Sequence, residues 1–184
     1  MDFVHGTTIA KRKTAPKTLY HKSDITAVAV AYKQLVDIKM PAGTAPGPVG
    51  GGRIGHDFFV ESMSTLTYPT VGHLEAQINE ILHHLCDVRV DFKTETADGL
   101  VLCPSDLRDS NYIMIDDEGG LWAIDFGRTC FLPPSFVSYS LITSSDIFVK
   151  YVAWYVDYPR SPNLRGMEMA SGQMVIFGDN NLGQ

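Results

Sequence analysis

The chain has 184 residues, 45% of them hydrophobic and 20% charged, which suits one domain; a chain of this size buries about 70% of its unfolded surface and needs no staples. Its 15 Lys and Arg against 21 Asp and Glu leave a net charge of −6, the wrong sign for a nucleic acid or an anionic membrane as partner.

In chain order, residues 1–20 are polar and basic and lack the apolar stretch of a signal peptide. Ser23 or Asp24 is placed to cap a helix with Ile25, Val28, Tyr32, Leu35 and Val36 on one face, stopped by Pro41. The run from Ile25 to Tyr32 is the longest largely apolar one, far below the ~20 residues that cross a bilayer, so a soluble, cytoplasmic protein is expected. Residues 41–52 (PAGTAPGPVGGG) read as a surface loop. A phosphate-binding glycine loop follows a strand and opens a helix; this one follows a helix. A second helix is expected over 71–85, with Leu74, Ile78, Ile81, Leu82 and Leu85 at helical spacing. His83 and His84 diverge by about 100° on it and cannot share a metal from one face; they read as its polar edge. Cys86, Cys103 and Cys130 form no C-x-x-C pair and no even set, as expected of buried reduced thiols.

The stretch 99–127 carries the chemistry. Leu100–Cys103 reads as a strand, and Tyr112–Asp116 and Leu121–Phe126 as a hairpin around Asp117, Glu118, Gly119 and Gly120. With the turn centred on Glu118, Asn111 falls opposite Asp125, and directly opposed residues have Cβ atoms ~5 Å apart. Asp106, in the loop Pro104–Ser110, converges on the same end. An amide oxygen and carboxylates of this kind suit Mg²⁺, which takes one or two carboxylates with phosphate oxygens and water. Asp116-Asp117-Glu118 reads as a solvated turn. Arg128 is suited to pairing with a loop acid. Residues 128–132 read as a loop ended by Pro133-Pro134; 135–151 and 161–178 read as mostly helical, with Tyr151, Trp154 and Tyr155 as core or interface aromatics.

Asp106-x₄-Asn111 followed by Asp125-Phe126-Gly127 matches the kinase pattern. Together with MDFVHGTT at 1–8, the glycine-rich segment 41–52 and DEGGLWAIDFGRTCFLPPSF at 117–136, it resembles the fungal members of the aminoglycoside-phosphotransferase-like family, which has a protein-kinase-like fold. The resemblance implies an α+β, mostly helical carboxyl-terminal lobe in which a small hairpin carries the site, as a single domain over 1–184 with residues 1–8 a hinge remnant. It implies ATP as substrate, Mg²⁺, and an unidentified hydroxyl-bearing acceptor. By the same resemblance Asp106 is the catalytic carboxylate, Asn111 and Asp125 hold metal, and backbone groups of Asp2 and Val4 bind adenine. Pro104 stands where the family has His. The family's small lobe, with its phosphate-covering loop, lysine and glutamate, has no counterpart in the 184 residues, so the expectation is an incomplete or inactive phosphotransferase that self-associates through the surface left open. The alternatives are a non-catalytic remnant or scaffold of the fold, or an unrelated metal-dependent hydrolase.

Overall fold

A computed structural model describes residues 5–13, 20–83, 85, 87–114 and 120–180. Among these the elements are β1 (Thr7–Thr8), α1 (Lys22–Val36), β2 (Lys39–Met40), α2 (Val71–His83), α3 (Phe92–Glu95), β3 (Leu100–Pro104), β4 (Tyr112–Met114), β5 (Leu121–Ala123), β6 (Thr129–Leu132), α4 (Pro134–Thr143), α5 (Ile147–Tyr155) and α6 (Leu164–Phe177). Three short 3₁₀ turns lie at Ile9–Lys11, Val60–Ser62 and Asp109–Asn111. The described residues form an α+β fold: six helices and two three-stranded antiparallel sheets, β1-β4-β5 and β2-β3-β6.

Helix α1 buries the face that its spacing marks out, Ile25, Val28, Tyr32 and Val36, against α5 and β3. Its start differs from expectation. His21 is the N-cap residue and gives no side-chain bond. Asp24 is instead drawn to Arg12, whose Nε and Nη2 donate to its two carboxylate oxygens at 2.9 and 3.3 Å. A buried acid in a first turn is favoured by the helix dipole and needs such a partner. Helix α2 buries Leu74, Ile78, Ile81 and Leu82 and ends at His83, so Leu85 lies beyond it and stays exposed. His84, Cys86 and the turn residues Asp116, Asp117 and Glu118 lie outside the described residues.

Residues 129–132, expected as loop, form β6. Their β-prone, apolar side chains pair with β3 (Leu102↔Phe131, Cys103↔Cys130), and Cys130, Phe131 and Leu132 are buried. The far side of β6 is met by Gly47, which donates to Phe131 O at 3.0 Å and accepts from Phe131 N at 2.8 Å. Within the loop 41–52, Pro46 is buried beside Gly47 while Val49 to Gly52 are exposed, so the expected surface loop is anchored at one point. Cys103 and Cys130 are buried free thiols. Burial pushes Cys103 up to about 12 and raises Cys130 as well, which keeps both protonated and unreactive.

The helical stretch 135–151 breaks at Ser144–Asp146. There Asp146 Oδ1 caps α5 by accepting from Phe148 N at 2.7 Å, and Ser144 Oγ accepts from Asp146 N at 3.1 Å. Phe58, Phe92, Phe136 and Tyr139 close the core around this region, with edge-on ring contacts such as Phe58–Phe136 at 5.4 Å. Tyr151, Trp154 and Tyr155 are not core residues. They lie on the outer face of α5, with Trp154 84% exposed. Among the described residues no helix is long and apolar enough to cross a membrane.

Candidate active site

Strand β3 ends at Pro104, and the chain runs through an irregular loop into the 3₁₀ turn that leads to β4. The turn is closed by Asn111 N donating to Arg108 O at 3.0 Å. The Asn111 side chain then folds back over the loop. Its Nδ2 donates to Asp106 O at 3.0 Å and to Asp106 Oδ2 at 3.3 Å. Two acceptors on one side fix the amide's orientation, so Oδ1 faces away from Asp106 and accepts from Ser110 Oγ at 3.1 Å. The other Asp106 oxygen accepts from Arg108 Nε at 2.6 Å. Asp106 and Asn111 are thus brought together as their spacing implied.

Asp125 sits differently from expectation. The hairpin register is Tyr112↔Ala123, Ile113↔Trp122 and Met114↔Leu121, one residue away from the pairing expected of a turn centred on Glu118. Asn111 therefore faces Ile124, whose N–H donates to Asn111 O at 2.9 Å, and Asp125 falls one residue beyond. A one-residue slip sends a strand side chain to the opposite face. Here the strand alternation has ended, because Asp125 is left-handed at φ 61°. A non-glycine residue held in that region is uncommon, and such strain gathers at functional sites. A Cβ at Gly127 would lie 3.4 Å from Asp125 Oδ1, so glycine keeps the space beside that oxygen open.

Two long-range contacts fix the loops around Asp106, and sequence spacing identifies neither. Asp109 Oδ2 accepts from Tyr20 Oη at 2.8 Å and pairs with Lys13 Nζ at 2.7 Å. Lys13 also lies 4.8 Å from the centre of the Tyr20 ring. The bond to Asp109 raises the Lys13 pKa above its ordinary value. Tyr20→Phe is expected to cost about 1 kcal/mol of stability, the net worth of one hydrogen bond, and to speed amide exchange at Ser110 and Asn111, read by hydrogen-exchange NMR. On the other side, Arg128 bonds Asp57, which supplies the acid partner that its position called for.

Asp106 lines a cleft of about 360 Å³ together with Asp57, Arg108, Tyr139, Ser140 and the Thr143–Asp146 segment. Asn111 and Asp125 are not part of its wall. His56 lies behind this wall, fully buried, with Nδ1 accepting from Phe58 N at 2.9 Å. The proton therefore sits on Nε2, which contacts Phe136 O at 3.1 Å and Ser140 Oγ at 2.8 Å. Burial drives the His56 pKa down to about 4. A neutral ring presenting N–H to Ser140 cannot draw off the serine proton, so this pair is not a nucleophile–base couple.

Asp2 and Val4, the positions expected to meet adenine, lie outside the described residues. Among the described residues no group of three or more His, Cys, Asp or Glu side chains could hold a metal ion. The set implied for Mg²⁺ is smaller, one carboxylate and one amide oxygen. Asp125 beside the open space at Gly127 and the outward Oδ1 of Asn111 are hard oxygen donors of the kind Mg²⁺ accepts with phosphate and water. No family model, curated protein or solved structure matches the chain.

Proposed function

We propose that the chain is the large lobe of a kinase-like, ATP- and Mg²⁺-dependent phosphotransferase acting on a hydroxyl acceptor. The observation that carries this reading is the Asn111 amide clasping Asp106 through both its backbone and its carboxylate oxygen, with Asp106 on the wall of a cleft. Asp106 would orient the acceptor hydroxyl and take its proton as the oxygen attacks the terminal phosphoryl group. Asn111 Oδ1 and Asp125 would hold the metal, which when bound neutralises phosphate charge. The chemistry depends on positioning and charge stabilisation, both weakened wherever water reaches the phosphates.

The 184 residues on their own are expected to bind Mg-ATP weakly, to lose that binding in Asn111→Ala and Asp125→Ala, and to transfer no measurable phosphate. Calorimetry and radiolabelled transfer check this. Nucleotide binding that ignores both substitutions would sink the metal pair, while robust transfer abolished by Asp106→Ala would show that an open site suffices. The second reading, a non-catalytic scaffold of the fold, is favoured by Arg108 Nε at 2.6 Å from Asp106 Oδ1. That contact occupies the carboxylate that must accept a proton. The exposed Trp122 and Phe126 at the hairpin fit the expectation that this face docks a partner surface or a second copy.

A further inference from the structure

We infer that the cleft beside Asp106 accepts a neutral polyol, a sugar-sized molecule rich in hydroxyls, in preference to an amine-bearing one; this rests on the reading of Asp106 as the residue that meets the acceptor. The cleft volume of about 360 Å³ lies at the small end of the range for small-molecule sites, roughly 300–1,000 Å³. One wall, formed by the end of α4 and the turn after it, includes Ser140, Thr143, Ser144 and Ser145; Thr143 Oγ1 donates to Tyr139 O, while Ser140 and Ser144 accept from His56 Nε2 and Asp146 N and keep their own O–H to donate. Hydroxyls both donate and accept, which is the complement a polyol requires at each of its own hydroxyls. Leu107 and Val149 add apolar surface for the C–H faces of such a molecule.

The charges point the same way. An ammonium group leaving water needs a carboxylate whose charge is not already spent. Asp57 is paired with Arg128 and Asp106 with Arg108, while Asp146 accepts a backbone N–H at the positive end of α5. The three cleft carboxylates are therefore balanced by two guanidinium groups and a helix start. What they still offer is hydrogen-bond acceptance, suited to hydroxyl donors.

The test compares glucose and myo-inositol with glucosamine and spermine, by ¹H–¹⁵N NMR titration of the chain without nucleotide. The expected result is saturable binding of a neutral polyol with shifts at Ser144 and Ser145, weakened about tenfold in S144A/S145A, the equivalent of one or two lost hydrogen bonds. Ser145→Trp, which fills the cleft, should abolish binding in a chain whose circular dichroism is unchanged. Tighter binding of glucosamine or spermine than of glucose, or no polyol binding at the highest soluble concentration, overturns the inference. The phosphotransferase reading is tested separately by Mg-ATP. Polyol binding without Mg-ATP binding upholds the cleft chemistry and defeats that reading, and Mg-ATP binding with amine preference does the reverse.

Discussion

Gly99→Ala is expected to destabilise the protein by about 3–5 kcal/mol, the range reached when a backbone clash and an unfavourable φ combine. Gly99 has φ +101°, and an added Cβ would lie 1.9 Å from Met40 O. That oxygen belongs to the main chain of β2, where Met40 pairs with Leu100 of β3, so no side-chain movement relieves the overlap. The same residue donates its N–H to Thr96 O at 2.9 Å and turns the chain out of α3 into β3, the strand that delivers Asp106. Relief by peeling β2 from β3 would therefore disturb the cleft as well. Urea unfolding of wild type and variant measures the effect. A difference below about 1 kcal/mol would show that the turn re-forms at little cost.

The second large effect concerns pH, where the half-buried Glu95 and the buried His56 oppose each other. Glu95 caps the start of α4, with Oε1 accepting from Ser135 N at 3.3 Å and Oε2 from Ser135 Oγ at 2.6 Å. Burial raises its pKa from 4.5 to about 7 against the lowering influence of Ser135 and Asn163. Between those values the folded state binds more protons than the unfolded one. The stability linked to Glu95 is therefore complete below about 4.5 and is lost as pH rises through about 7. His56, lowered from 6.5 to about 4 by burial, does the opposite. The folded state binds fewer protons in that window, and stability is lost as pH falls from 6.5 through about 4. Each shift corresponds to about 3 kcal/mol, so wild-type stability should stay nearly level between pH 4.5 and 6.5. Glu95→Gln removes one side of the balance. Its stability should climb by about 3 kcal/mol from pH 4 to 6.5, as His56 alone dictates. A variant profile parallel to the wild-type one would refute the raised Glu95 pKa.

Helices α1 and α2 are legible in the sequence because a helix carries its buried face locally: Ile25, Val28, Tyr32 and Val36, then Leu74, Ile78, Ile81 and Leu82, repeat at the spacing of the turn. The joint placement of Asp106 and Asn111 is legible for the same reason, being set by a loop of a few residues. The hairpin register differs by one residue from the expected one, since a turn with Gly119 and Gly120 admits several centres and only the pairing selects one. Neither Ser23 nor Asp24 caps α1: both lie within it, and Asp24 turns to Arg12, a partner outside the helix that local spacing does not reveal. The Tyr20–Asp109 and Arg128–Asp57 contacts span 89 and 71 residues, and no local pattern records such a meeting. Strand β6 is set by its pairing with β3, far back in the chain, which no local pattern records, and the cleft is hidden by the break at Ser144–Asp146, which a continuous helical reading of 135–151 passes over.

The stitch between Gly47 and Phe131 bears on how the molecule behaves in a crowded solution. An unpaired strand edge is a template on which another chain can add, and growth by such addition leads to fibrils. Strand β6 spends the N–H and C=O of Phe131 on Gly47, and Pro48, which follows, has no N–H to offer an incoming strand. At the opposite edge β2 is only two residues long, too short to seed a ladder. Loop 41–52 thereby acts as a selvedge, finishing the cloth of the sheet so that it cannot be extended.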